Sequence, residues 1–217
     1  MISPDLNLDR KPKEIFTEIY KKNRWRSDES VSGIGSILSA TRKVRSDIEY
    51  LIEKYQIVSI LDIPCGDFNW MKEVKLAENQ VHYLGCDIVP ELIEKNKINY
   101  TNDYIKFKEV DLINDNLPEH DLVICRDCLV HFSYEDIRKA IQNIKNSNSK
   151  YLLVTSFLNI VNNEDIKTGW WRPIDLRKPP FNYLNPIEIF DEEFTEYLNE
   201  SNKHLKKAML LYKIKDL

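Results

Sequence analysis

The sequence predicts an α/β fold, a doubly wound and mostly parallel sheet with helices on both faces. Short apolar runs typical of strands recur from residue 58 onward, and most are separated by segments of helical period or length. Strands that alternate with helices need crossover connections, which cover both faces of a parallel sheet. A chain of 217 residues is long enough for one sizeable core.

Five apolar runs are predicted as strands from their length and residue types. They span residues 58–63, 82–88, 104–110, 121–126 and 151–157. The tail 206–214 predicts one more strand. Since no comparably clear helix precedes this tail, we expect it to pair antiparallel at an edge of the sheet.

Helical spacing marks the segments between and before these runs. Apolar residues at 15, 16, 19 and 20 predict a short helix that ends near Asn23, and those at 44, 48, 51, 52 and 55 predict a helix of about four turns. Two further helices are predicted at 90–98 and 134–145.

The start of the chain has a different texture. Residues 25–40 are rich in serine and contain Gly33 and Gly35, so they predict a loop. No shift in composition marks a second domain. We therefore divide the chain into an N-terminal helix and loop, residues 1–40, that do not fold independently, and one domain, residues 41–217.

Composition excludes several classes of protein. The net charge of −4 gives no general attraction to phosphate backbones, so we expect no general nucleic-acid binding. Residues 1–5 lack a secretory pattern, and no run approaches the roughly 20 apolar residues that a membrane span needs. We expect a cytoplasmic protein.

The cysteines are interpreted as reduced thiols. Cys65, Cys86, Cys125 and Cys128 all fall in or beside predicted buried strands. Cys125 and Cys128 have metal-ligand spacing, but no second pair accompanies them. We predict no metal site.

Candidate site residues follow the predicted strands, because ligands of such sheets bind beyond the carboxyl ends of the strands. Residues 62–67 follow the first strand, Asp87 the second, Asp111 the third and residues 126–131 the fourth. Together they predict one site built from four strand ends.

The spacing of three of these positions indicates a type of ligand. Gly66 stands where the chain must turn tightly and let a ligand approach its backbone. Asp87 comes 21 residues later, close to the spacing of an acid that binds a ribose hydroxyl. Asp111 and Leu112 would offer a polar contact and an apolar face to an adenine ring. Any one Asp is explained as well by a helix cap or a strand end, but three in order indicate an adenosine-containing ligand.

Four segments in order resemble the motifs of the class I S-adenosylmethionine-dependent methyltransferases. They read LDIPCGDFNWM, YLGCDIVPELI, VDLINDNLPEHDLVICRDCLVHF and KYLLVTSF, and they lie within about residues 58–158. The resemblance implies a Rossmann-like methyltransferase sheet and S-adenosyl-L-methionine as the cofactor. Pro64 and Phe68 replace two glycines of the usual first motif and argue against a dinucleotide pyrophosphate. Gly66 would then make room for the amino-acid end of the cofactor.

Two further segments, ESVSGIGS and GWWRPIDLRKPPFNY, are similar to parts of a bacterial subgroup associated with capsule or other glycan modification. Arg26 stands where the subgroup usually has glycine. The resemblance implies that an N-terminal loop covers the cofactor; composition alone describes the same loop as a capped helix entrance. The predicted cofactor-binding residues are Trp25, Ser32, Gly33, Ser36, Thr41, Asp62, Pro64, Gly66, Asp87, Ile88, Asp111, Leu112 and Arg126.

Methyl transfer to a hydroxyl needs alignment and benefits from a general base. His131 is the candidate base, since its pKa lies in the useful range; the alternative is a histidine that packs at the start of a helix. Asp127 is the second catalytic candidate and could orient His131, bind the acceptor or contact the methionine moiety. Arg126 could equally be a surface ion-pair partner.

Residues 169–183 mix aromatic and cationic side chains, which suit a sugar, a phosphosugar or a nucleotide-linked acceptor. Trp171 and Arg172 are the predicted acceptor contacts. The alternative is that the segment simply packs a loop onto the core.

The sequence therefore predicts an enzyme that methylates a hydroxyl of a small glycan-related or phosphate-bearing acceptor. An RNA or protein methyltransferase is a weaker hypothesis, because a basic groove and an Asn/Asp-Pro-Pro-aromatic motif are missing. An inactive, cofactor-binding partner subunit is the third hypothesis.

Overall fold

A computed structural model of the protein describes residues 10–192 and 205–217. Residues 1–9 of the predicted N-terminal segment lie outside that range. The helices in the described part are α1 Pro12–Lys21, α2 Arg42–Tyr55, α3 Pro90–Tyr100 and α4 Tyr134–Asn146. The strands are β1 Ser59–Asp62, β2 His82–Asp87, β3 Ile105–Glu109, β4 Leu122–Cys125, β5 Tyr151–Phe157, β6 Glu188–Asp191 and β7 Lys207–Lys213.

The strands form a single sheet in the order β3-β2-β1-β4-β5-β7-β6. Strands β1 to β5 run parallel to one another, and β7 is antiparallel to both β5 and β6. The predicted fold class is confirmed, and each predicted strand contains an observed one. The position of the last strand differs, because β7 lies between β5 and β6 rather than at the edge.

The edge strand β6 was not predicted from the sequence. It has only four residues and begins and ends with the acidic Glu188 and Asp191, so no apolar run marks it. Its register on β7 pairs Asp191 with Ala208. This pairing brings the residues just after β6 next to the start of β7.

Both faces of the central strands are covered, which explains why β4 and β5 are buried along almost their whole length, whereas β3 at the edge of the sheet buries only Phe107 fully. Leu61 of β1 packs in a buried cluster with residues of α1 and α4, while its neighbour Ile60 packs on the other face with residues of α2. The alternation follows from the two-residue period of a strand. All four cysteines are buried and free.

The chain reverses its direction of travel across the sheet at β1. Strands β2 and β3 lie on one side of β1, and β4 lies on the other. The loops after β1 and β4 therefore separate and leave a crevice at the carboxyl ends of the strands. In the described residues no helix is long and apolar enough to cross a membrane.

Candidate active site

A cavity opens in that crevice. Its walls come from residues 63–66 after β1, 87–89 after β2, 110–112 after β3 and 126–128 after β4. The N-terminal residues 31–36 form part of the same wall. The four strand ends and the N-terminal loop thus meet at one place.

Most predicted site residues line this cavity. They are Trp25, Ser32, Gly33, Ser36, Pro64, Gly66, Asp87, Ile88, Asp111, Leu112, Arg126, Asp127, His131 and Trp171. The other three, Thr41, Asp62 and Arg172, are not part of its lining. Each of the three is buried and bonded to other parts of the protein.

The N-terminal loop is fastened to the turn after β1 by Asp67. The Asp67 carboxylate accepts hydrogen bonds from Ser30 Oγ at 2.9 Å, the Val31 amide at 2.9 Å and Ser32 Oγ at 3.2 Å. The Asp67 amide donates in return to Ser32 Oγ at 3.0 Å. The sequence placed Asp67 in the range 62–67 at the end of the first strand, but it was not predicted to bind the cofactor.

Gly66 is required by the same contact. Its φ is +55°, a left-handed conformation that favours glycine, and a Cβ placed there would lie 2.2 Å from Ser32 Oγ. The missing side chain at Gly66 makes room for Ser32 of the N-terminal loop. Gly66 also lines the cavity, and that it makes room for the cofactor stays a prediction.

Thr41 has a local role at the entrance to α2. It is fully buried, and its hydroxyl donates to the Ile37 carbonyl at 2.9 Å. Thr41 is the N-cap residue of α2, but its side chain makes no capping hydrogen bond to the helix, and it is not part of the cavity lining.

Asp62 lies behind the cavity wall with an unsatisfied oxygen. Its Oδ2 accepts a hydrogen bond from the Tyr83 hydroxyl at 2.7 Å, and no described residue bonds to its Oδ1. Burial raises the pKa of Asp62 to about 7. A buried carboxylate oxygen without a donor is costly, so it favours a ligand amine or a water molecule at this position.

Asp87 lines the cavity at the end of β2. Its carboxylate accepts hydrogen bonds from the Gly66 amide at 3.2 Å and the Val89 amide at 3.0 Å. Burial raises the pKa of Asp87 to about 6, although these two amides favour the ionised form. The carboxylate keeps acceptor capacity for a ligand hydroxyl, since each oxygen can accept more than one hydrogen bond.

Asp111 lines the cavity after β3, but its carboxylate serves the local turn. It accepts from the Ile113 amide at 2.9 Å and from Asn114 Nδ2 at 2.8 Å. The adjacent Leu112 is buried and presents an apolar surface. Asp111 therefore stabilises the turn at the end of β3, as the structural interpretation expected, and it also lies where it could contact a ligand.

Four charged residues at the ends of three strands form a cluster, which we call the charge cluster: Arg126 and Asp127 after β4, Glu192 after β6 and Lys207 at the start of β7. Lys207 Nζ lies 2.6 Å from Asp127 Oδ2 and 3.0 Å from Glu192 Oε2. Arg126 lies 2.6 Å from Glu192 and 3.3 Å from Asp127. Arg126 is only 5% exposed, so the interpretation as a surface ion-pair partner is wrong.

Asp127 is the member of this cluster most open to the cavity, with 31% of its side chain exposed. Burial favours its neutral form, but the positive charges of Lys207 and Arg126 outweigh burial and hold the pKa of Asp127 below its ordinary value. Asp127 is therefore an anion that can accept hydrogen bonds. Glu192 and Lys207 were missed by sequence analysis, because β6 was not predicted.

His131 ends a short 3-10 turn, Leu129–His131, that lines the cavity. Its Nδ1 lies 2.9 Å from the Trp170 carbonyl oxygen. A carbonyl only accepts, so Nδ1 carries the hydrogen, and in the neutral ring Nε2 has the lone pair. Burial lowers the pKa of His131 and favours this neutral form.

The two predicted acceptor contacts differ. Trp171 lines the cavity and packs edge-on against Phe157, with ring centroids 6.0 Å apart. Arg172 is 5% exposed, and its guanidinium donates to the backbone carbonyls of Leu129 and Phe132. The expected acceptor contact of Arg172 is therefore not supported, because its donors are bonded to backbone.

Comparison with known proteins identifies the central part of the chain. Residues 60–150, from β1 to the residue before β5, match the model of a family described as a methyltransferase domain. Over this segment, which is less than half of the chain, the protein is similar to a methyltransferase domain. No curated protein matches the chain.

Solved structures confirm the fold. A 1,6-didemethyltoxoflavin-N1-methyltransferase from Burkholderia thailandensis, with bound substrate and S-adenosylhomocysteine, is similar at a TM-score of 0.66 and 12% identity, over 98% of this chain and 92% of that chain. The magnesium protoporphyrin IX methyltransferase from Synechocystis PCC 6803, with S-adenosylhomocysteine, has a TM-score of 0.60 and 12% identity, over 93% and 98%. The cyclase SpnF has a TM-score of 0.60 and 13% identity, over 79% and 81%. At such identities the likeness concerns the fold.

Proposed function

We propose that the protein is an S-adenosylmethionine-dependent methyltransferase that transfers the methyl group to a hydroxyl oxygen of a small, uncharged, glycan-related acceptor, with His131 as the general base. The observation that carries the proposal is the contact between His131 Nδ1 and the Trp170 carbonyl, which leaves Nε2 as a proton acceptor on a ring that lines the cavity. A base near the acceptor hydroxyl is what O-methylation needs.

The cavity residues fit S-adenosylmethionine. Asp87 would accept hydrogen bonds from ribose hydroxyls, Leu112 would pack against the adenine, and the unsatisfied Oδ1 of Asp62 would receive the amino group, directly or through water. The bound cofactor supplies a methyl group on a positively charged sulfur. Residues 31–36 of the N-terminal loop would exclude water from that methyl group.

His131 would take the acceptor proton at Nε2 as the hydroxyl oxygen attacks. Because burial lowers the pKa of His131, the neutral base persists to lower pH than an exposed histidine would allow. The rate should fall as pH drops through that lowered pKa. Asp127 supports the step electrostatically, since its negative charge favours the imidazolium that forms.

The charges of the cavity argue for an uncharged acceptor. The two cations in its lining, Arg126 and Lys207, already pair with carboxylates of the charge cluster. An acceptor phosphate would have to displace these carboxylates, which is costly for buried pairs. The phosphate-bearing acceptor that the sequence suggested therefore lacks support, and the same pairing disfavours an RNA backbone.

The glycan-related part rests on other features. Trp171 offers a flat apolar surface at 37% exposure, and the rings of Phe16 and Trp25 pack around His131 with centroids 6.5 and 5.7 Å away. Such surfaces suit the apolar faces of sugars and of other small hydroxylated molecules. The resemblance of residues 169–183 to the glycan-modifying subgroup favours the former.

The test is a methyl-transfer screen analysed by mass, with acceptors in matched pairs that differ only by a phosphate. We expect transfer to the uncharged member and a fall in kcat of about 100-fold or more for His131→Gln, with cofactor affinity unchanged. The same change at the exposed His82 is the control. Transfer only to phosphorylated members would refute the acceptor class, and cofactor binding without any transfer would favour an inactive partner subunit.

A further inference from the structure

Residues 169–172 lie directly beside the turn that carries His131. The Gly169 amide donates to the His131 carbonyl at 2.8 Å, and the Arg172 amide donates to the Val130 carbonyl at 3.1 Å. Between them, the Trp170 carbonyl accepts the bond from His131 Nδ1 at 2.9 Å. The orientation of the imidazole therefore depends on this segment.

The side chain of Arg172 joins the segment to both ends of the turn. Its two terminal nitrogens donate to the Leu129 carbonyl at 2.8 Å and the Phe132 carbonyl at 2.7 Å, and its Nε donates to the Glu164 carbonyl at 3.1 Å. Leu129 and Phe132 enclose Val130 and His131 in the chain. The turn cannot rotate without breaking both terminal bonds.

Arg172 also brings a buried positive charge close to His131. All three hydrogen-bond acceptors of its guanidinium are uncharged carbonyls, and among the described residues the Asp165 carboxylate acts on it by charge without a hydrogen bond. Burial lowers the pKa of Arg172 to about 10, which leaves the group charged at neutral pH. The Tyr134 ring, 5.9 Å from Cζ, is a further uncharged neighbour that favours the cation.

We propose that Arg172 is a positioning residue for His131. It fixes the turn so that Nδ1–H meets the Trp170 carbonyl, and its charge opposes a second positive charge on the imidazole. The catalytic meaning of this inference rests on the proposed role of His131 as base. The effect on the ring itself does not, and can be measured without any acceptor.

The groups that face His131 shift its pKa in opposite directions. Burial, which lowers the pKa of His131, is the largest influence, and the Trp170 carbonyl and the Asp127 carboxylate raise it. Arg172 lowers it. From α1 and the N-terminal loop the neighbours are the uncharged rings of Phe16 and Trp25. Arg172 is thus the cation that favours the neutral base.

The experiment is a nitrogen-15 NMR titration of the histidines, with the His131 signals assigned from His131→Gln. In the wild-type protein we expect hydrogen on Nδ1 and a pKa below the ordinary value. Arg172→Met removes the positive charge and the two hydrogen bonds to the Leu129 and Phe132 carbonyls. The pKa of His131 should therefore rise, and both tautomers of its neutral ring should be populated. Arg172→Lys keeps the charge but cannot hold two carbonyls in the same geometry, so the tautomers should mix while the pKa stays closer to wild type.

Arg138→Met is the matched control, because Arg138 is an exposed cation on the adjacent α4. It should leave both the tautomer and the pKa of His131 unchanged. Wild-type protein with hydrogen on Nε2, or a folded Arg172→Met variant with wild-type tautomer and pKa, would overturn the inference. If Arg172→Met does not fold, the inference is tested by the other two proteins: it requires hydrogen on Nδ1 of His131 in the wild type and a mixture of tautomers in Arg172→Lys. A failure to detect methyl transfer to any acceptor would count against the proposed function. It would not affect the test of Arg172, because the NMR spectra are recorded without an acceptor.

Discussion

Ser32 and Gly66 are in such close contact that a Cβ on Gly66 would lie 2.2 Å from the Ser32 hydroxyl oxygen. One residue belongs to the N-terminal loop and the other to the turn after β1. Asp67 adds hydrogen bonds to Ser30, Val31 and Ser32 at the same junction. The loop and the turn therefore form one wall of the cavity.

Gly66→Ala should disrupt this wall. The left-handed φ of +55° costs a side chain about 1 to 2 kcal/mol, and the clash with Ser32 adds to that cost. Thermal unfolding and calorimetric titration with S-adenosylmethionine should both report a loss. In the double variant with Ser32→Gly the clash is removed, so affinity should recover in part. A single variant that binds like wild type would show that the loop moves away without consequence.

Asp87→Asn should weaken cofactor binding by about 1.5 to 3 kcal/mol, the scale of hydrogen bonds to a charged group. The pKa of Asp87 is raised to about 6, so the carboxylate is lost as pH falls through that value. We therefore expect wild-type affinity to decrease on acidification and the affinity of Asp87→Asn to change less.

Asp111→Asn is the control for this series, because the Asp111 carboxylate already bonds to the Ile113 amide and to Asn114. It should affect affinity less than Asp87→Asn. Equal effects from the two changes would mean that position 87 has no special role.

Asp62→Asn should stabilise the protein without cofactor at neutral pH. Burial raises the pKa of Asp62 from 3.8 to about 7, so between these values the folded state binds a proton that the unfolded state has lost. Stability from this group is present below pH about 4 and decreases as pH rises to about 7, by up to about 1.4 kcal/mol per pH unit. Urea unfolding of the wild type across this window should show that slope.

The asparagine variant should show a flatter stability profile in the same window, because it has no proton to release. It should also bind S-adenosylmethionine more weakly, since the unsatisfied Oδ1 becomes part of an amide. The exposed Asp28→Asn is the control, and it should leave the profile unchanged. An identical slope in Asp62→Asn would exclude Asp62 as its source.

Lys207→Met should be among the most destabilising single changes in the cavity. Within the described part of the chain it leaves the buried Glu192 and the half-buried Asp127 with Arg126 as their paired cation, and breaking a buried pair costs about 3 to 5 kcal/mol. The double variant with Glu192→Gln should be less destabilised than the two single losses added together. Urea unfolding measures both.

The neighbouring Lys206→Met gives a matched comparison. Lys206 pairs with Asp191 at 2.9 Å, but both side chains are largely exposed. The expected cost is below about 1 kcal/mol. If both substitutions lower the free energy of unfolding by a similar amount, burial of the charge cluster does not make its ion pairs more important for stability.

Sequence patterns predicted the framework because burial on both faces makes the central strands β1, β4 and β5 mainly apolar. For the same reason the strand ends, and with them Asp87, Asp127 and His131, were placed correctly at the cavity. Glu192 and Lys207 could not be predicted, because their meeting depends on the unpredicted β6 and its pairing with β7. The partners of Arg172 were missed because residue type shows that a side chain can bind a ligand, but not that three backbone carbonyls already occupy its donors.

The order of strands in the sheet differs from their order in the chain at one place, and this affects how the molecule is made. A ribosome releases β6 before β7, yet β6 has no neighbour in the sheet until β7 has entered between it and β5. Lys207 is the first residue of β7, so the charges beside β4 are neutralised only when that late insertion is complete. The cavity therefore has its final electrostatic form only when β7 is in place between β5 and β6.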